Sequence, residues 1–93
     1  MVKGKTSSGF VFTVDRERVT NDYRFTLAIA KSNSKDMMKQ IEADAEIVSL
    51  LLGEEQTQRL FEHVQEKDGM IPRDKVTAEV MEIMKSLGEE EKK

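Results

Sequence analysis

The spacing of apolar positions changes partway along this chain. Phe10, Phe12 and Val14 alternate with Val11 and Thr13, the period-2 pattern of a strand rich in aromatic and β-branched residues. A lone strand leaves its backbone unpaired, so it needs another segment of this chain or another copy. Asp15 to Arg18 reads as a polar turn or a single helical turn, and Asn21-Asp22 supplies an N-cap for the segment after it. From Tyr23 to Ala30 two readings stand. Tyr23, Phe25, Leu27 and Ile29 alternate as in a strand that would pair with Phe10–Val14. The cap, the helix-favouring Leu27, Ala28 and Ala30, and the Phe25/Ile29 pair at i, i+4 describe a helix instead.

Beyond a polar linker at Lys31 to Ser34 the period is helical. Met37, Met38, Ile41, Ala45, Val48 and Leu52 predict a long helix capped by Ser34, with Ile47, Leu50 and Leu51 widening its apolar surface towards the end. Gly53 suits a left-handed residue just past that helix, and Glu54-Glu55 place negative charge in the first turn of the next. That helix, roughly Glu54 to Glu66, presents Thr57, Leu60, Phe61 and Val64 on one face. Asp68-Gly69 reads as a turn, and Pro72 fits the first turn of a last helix with the stripe Val76, Val80, Ile83, Met84 and Leu87, ending at Gly88. The expected fold class is mainly α, about four helices with a small N-terminal β element in a single compact domain. Residues 1–9 are expected as a flexible arm, 10–88 as the domain and 89–93 as a charged, solvated tail.

A chain of 93 residues has material for one modest core. Net charge is −3, unevenly spread: residues 1–31 carry six Lys/Arg against three Asp/Glu, residues 32–93 nine against fifteen. The acidic helical part argues against nucleic acid as a partner, since phosphate binding needs clustered Lys and Arg. There is no Cys, which excludes disulfides and thiolate chemistry, and no run approaches a membrane span. A cytoplasmic location is expected.

Candidate chemistry is sparse. Glu66 to Ile71 has the look of the centre of a calcium-binding EF-hand loop, but aligning Gly69 with the loop glycine puts Val64 and Lys75 where the terminal carboxylates belong. His63 is the only histidine; with Glu62 and Glu66 nearby it has neighbouring acids but no second imidazole, no cysteine and no recognisable nucleophile. No catalytic, cofactor-binding or metal-binding residue is assigned, and an enzyme is not expected. The six methionines carry more information, because flexible, polarizable Met either fills cores or lines surfaces that accept varied apolar partners. Met37, Met38, Met70, Met81 and Met84 are the candidate partner contacts.

Taken together, Phe10 to Val14, Asn21-Asp22-Tyr23, Leu50-Leu51-Leu52-Gly53-Glu54-Glu55-Gln56, Phe61-Glu62-His63 and Asp68-Gly69-Met70-Ile71-Pro72 resemble the small tail assembly chaperones of long-tailed phages and prophages of Gram-positive bacteria. The likeness covers about residues 9–88 and rests on helix punctuation and apolar pattern. It favours the helical reading of Tyr23 to Ala30. It further implies a non-enzymatic protein that binds the tape measure protein, a long and largely helical chain, during tail morphogenesis in the host cytoplasm, with contacts between copies, as in a homo-oligomer, also expected. The rival reading is a structural phage component or small regulatory adaptor that uses the same helices for self-association.

Overall fold

The alternating segment is one half of a hairpin. In the computed structural model, which describes residues 1–91 with side chains as far as Gly88, β1 (Val2–Lys5) pairs antiparallel with β2 (Val11–Val14). Their register sets Val2 against Val14 and Gly4 against Phe12. The start of the chain, expected as a solvated arm, is therefore a strand with Val2 buried in the core. Its sequence hides this because Lys3 and Lys5 mask the alternation and Gly4 weakens strand propensity. Gly4 is required there: a Cβ would stand 2.7 Å from Cζ of the fully buried Phe12 ring, which covers the glycine. The hairpin turn is closed by Thr6, whose N–H donates to the Phe10 carbonyl at 2.9 Å and whose Oγ1 accepts from the Phe10 N–H at 3.1 Å. Gly9 takes a positive φ of 99° in that turn.

The other edge of β2 is closed by a side chain. The Thr13 N–H donates to Gln56 Oε1 at 2.7 Å, and Gln56 Nε2 donates to the Thr13 carbonyl at 2.8 Å. One amide thus satisfies both backbone groups that an incoming strand would take.

Four helices complete the chain. α1 (Arg16–Thr20) is the single turn read from Asp15 to Arg18, capped by Asp15. α2 (Tyr23–Ser32) resolves the contested segment as a helix, buries Phe25 and Ala28, and packs along α3. Its cap Asp22 accepts from the Arg24 N–H at 2.9 Å and forms a 2.7 Å ion pair with the Arg24 guanidinium, which holds its pKa below the ordinary 3.8. Alternation and i, i+4 spacing share positions 25 and 29, so the aspartate cap and the strong helix formers decide between them.

α3 (Met37–Val64) contains both predicted middle helices, joined across Gly53 at φ 78°, ψ 168°. Its cap is Asp36, whose carboxylate accepts from the Met38 N–H at 2.9 Å; the expected cap, Ser34, accepts instead from the Asp36 N–H. The helix ends at Val64, two residues before the expected Glu66. α4 (Arg73–Glu91) starts after Pro72 and runs through Gly88, so the expected stop there is corrected: this glycine has no positive φ. Of the anticipated tail, residues 89–91 continue the helix backbone, and Lys92 and Lys93 lie outside the described residues.

The core forms where the hairpin meets the helices. Phe10, Phe12 and Val14 pack with Phe25, Leu51, Leu52, Leu60 and Ile83. Burying a side chain such as Phe12 contributes about 2–3 kcal/mol.

Candidate functional site

The long helical stripe is divided, buried at the end towards which its apolar surface widens. Val48 and Leu52 are buried with Ile47 and Leu51, whereas Met37, Met38 and Ile41 are 63%, 64% and 40% exposed. The cause is the elbow at Gly53. A residue at positive φ with extended ψ breaks the ladder and sends the second arm in a new direction. The two arms meet inside the bend, where Thr57 Oγ1 donates to the Val48 carbonyl at 3.4 Å.

That elbow, with α4 laid across it, encloses an apolar groove of about 520 Å³. The first arm of α3 contributes Ile41, Ala45 and Val48, the second Phe61, and α4 Val76, Val80, Met81 and Met84. Ile29 of α2 lies at the floor with Val48, both packed against the core. Polar groups are few: Thr57, Thr77, Asp44 and Arg73. An adjoining hollow formed by Met70, Ile71, Pro72 and Ala78 shares Arg73, Thr77 and Met81 with the groove, so the apolar surface continues along α4 to its start.

Three of the five candidate methionines lie on this surface, and Met37 and Met38 line neither hollow. Met81 and Met84 line the groove and Met70 the adjoining hollow, while Met37 stands one turn before Ile41 on α3 with Met38 next to it. Met84 is half-buried, packed against the core and lining the groove. Ile29, Asp44, Phe61, Arg73 and Thr77 belong to the same groove but carried no signal as a group, because four separate segments supply them. Within one segment, Ile41, Asp44, Ala45 and Val48 do share a helix face, and the aspartate among them was the available sign of an exposed sector.

A second, polar hollow of about 880 Å³ lies where the hairpin turn meets the end of α3 and the middle of α4. Ser7 donates to Glu82 through both its N–H, at 3.1 Å, and its hydroxyl, at 3.0 Å. The Ser8 hydroxyl donates to Glu79 and lies 3.0 Å from His63 Nε2. Two side chains thus share the Ser8 hydroxyl, and the part His63 Nε2 plays follows its tautomer. His63 itself is exposed and tilts against Phe10, 5.6 Å between ring centroids, with the Arg59 guanidinium 5.8 Å from the Phe10 ring centroid. The arrangement fastens the hairpin to two helices, at the cost of a buried Glu79 Oε2 with no hydrogen-bond partner.

Glu66 to Met70 is a tight turn. The Glu66 N–H donates to the Met70 carbonyl at 2.8 Å, the Met70 N–H to Asp68 Oδ1 at 3.0 Å, and Gly69 has φ 94°. Among the described residues no three acidic or histidine side chains converge to hold a metal ion, and no helix is long and apolar enough to cross a membrane.

No protein family matches this chain, and neither curated proteins nor solved structures include a significant match to it.

Proposed function

We propose that the chain is a non-enzymatic binding protein that covers the apolar stripe of a helical client. The observation that carries this reading is the groove between the α3 elbow and α4, open, almost wholly apolar and bordered by methionines. A helix that exposes apolar residues at i, i+3, i+4 and i+7 is the complement of such a trough, and Met side chains adjust to differing client residues at little cost. The net charge of −3 helps keep the complex dispersed.

Within this reading the resemblance in sequence supplies the client. The protein acts as a tail assembly chaperone in the cytoplasm of the host, holding the helical tape measure protein soluble until the tail tube forms around it. Co-expression with a tape measure protein is the test. Soluble tape measure protein that co-purifies with this chain is expected; an equally insoluble product with and without it overturns the proposal.

A further inference from the structure

The groove is apolar between walls that carry opposite charge. Asp44 lies on the α3 wall and Arg73 on the α4 wall, both exposed. Neither is paired: among the described residues the only salt bridge joins Arg24 to Asp22. The same groove therefore holds an acid and a base that do not neutralise each other, with only Thr57 and Thr77 as further polar lining.

We infer that the groove selects a helix whose apolar stripe is bordered by a basic residue on one edge and an acidic residue on the other. This deepens the helix-binding reading and rests on it. A helix seated on its apolar stripe brings the residues at the two edges of that stripe against the two walls, as the positions beside a coiled-coil seam do. An edge base meets Asp44 and an edge acid meets Arg73, whereas two like edges set one charge against its own sign. Seating the helix also removes water from the walls, which strengthens attraction and repulsion alike. The mixed pattern further defines the direction in which the client lies, because turning the helix end for end exchanges its edges.

Three helical peptides of about fourteen residues, ~20 Å long at 1.5 Å per residue, test this by fluorescence anisotropy at low ionic strength. They share one Leu stripe and carry Lys on one edge and Glu on the other, Lys on both, or Glu on both. The mixed peptide is expected to bind about three- to fivefold more tightly than either uniform one, the range of exposed ion pairs. With Asp44→Lys the all-Glu peptide becomes the tightest, and with Arg73→Glu the all-Lys peptide does; added salt flattens all of these differences. Circular dichroism confirms that both variants remain folded. Equal binding of all three peptides, unmoved by either substitution, overturns the charge inference and leaves the groove reading standing. No binding by any peptide, with the chain dimeric in sedimentation, overturns both and makes a second copy the occupant.

Discussion

Ser8 links the hairpin turn to two helices. Its hydroxyl sits between Glu79 and His63, and Thr6 Oγ1 lies 3.2 Å away, so one residue of the hairpin turn holds contacts from α3 and α4. Glu79 is buried, with 5% of its surface exposed, and only one of its carboxylate oxygens has a partner. Ser8→Ala removes that partner and leaves the whole carboxylate unsatisfied, which is expected to destabilise the fold by about 1–3 kcal/mol in chemical denaturation. In a Glu79→Gln background the same serine substitution is expected to cost less, since the contact between the two side chains is already altered. Equal losses in the two backgrounds would show that the serine acts without Glu79. None of this was legible from sequence. Ser8 lies 55 residues from His63 and 71 from Glu79, and no local period links them. What could be read at this scale was local: a glycine in a turn at Gly69, an aspartate cap at Asp22, and a lone histidine placed on an exposed helical position.

Among the elements, α3 matters most. Its punctuation was readable because Gly53 interrupts an apolar helical run and two acids come directly after it, a pattern with a direct backbone cause. The bend is narrower than a separate turn: one residue at φ 78°, ψ 168° changes the direction of an otherwise continuous helix. A Cβ at Gly53 would meet nothing within 4 Å, so the glycine is there for its backbone alone. Gly53→Ala is therefore expected to cost about 1–3 kcal/mol from an essentially glycine-only conformation, with no steric clash to relieve. If the alanine variant matches the wild type in thermal unfolding, the elbow tolerates a regular helical residue and the groove it shapes is not held by Gly53. Helix ends were less readable. Ser34 and Asp36 are both competent caps, and the aspartate wins by holding the Met38 N–H while the serine holds the aspartate's own N–H. At the far end Gly88 tolerates helical φ and ψ, so α4 continues through it.

At the level of the molecule, the hairpin and the helices divide the work. The hairpin, α2, the ends of both α3 arms and the inner face of α4 build the core, leaving the inside of the elbow open as a groove. Met81 is 66% exposed on that groove, so its replacement changes the surface without touching the core. Met81→Glu is expected to leave the thermal midpoint nearly unchanged, within the ~0.5 kcal/mol typical of surface substitutions. The same variant is expected to weaken client-helix binding at least tenfold by placing a charge in the apolar trough. Loss of binding together with loss of fold would mean that Met81 supports the structure; unchanged binding would move the client contact elsewhere.

The order of elements, their type and most of their limits come from local causes: a period of two or of 3.6, a carboxylate able to cap, a glycine able to take positive φ. These act over a few residues, so the chain alone specifies a mainly helical domain with a strand near its start, and the stripes that supply its core. The widening of the α3 stripe towards Leu52 marks its more buried end, but not where along the stripe burial stops. Ile41 and Val48 belong to the same apolar pattern, yet Ile41 is 40% exposed and Val48 5%. That difference arises only when the elbow turns the second arm of α3 back towards the first and α4 crosses both. The groove, its opposed charges and the clasp at Ser8 are all made by residues distant in sequence, and only packing brings them together.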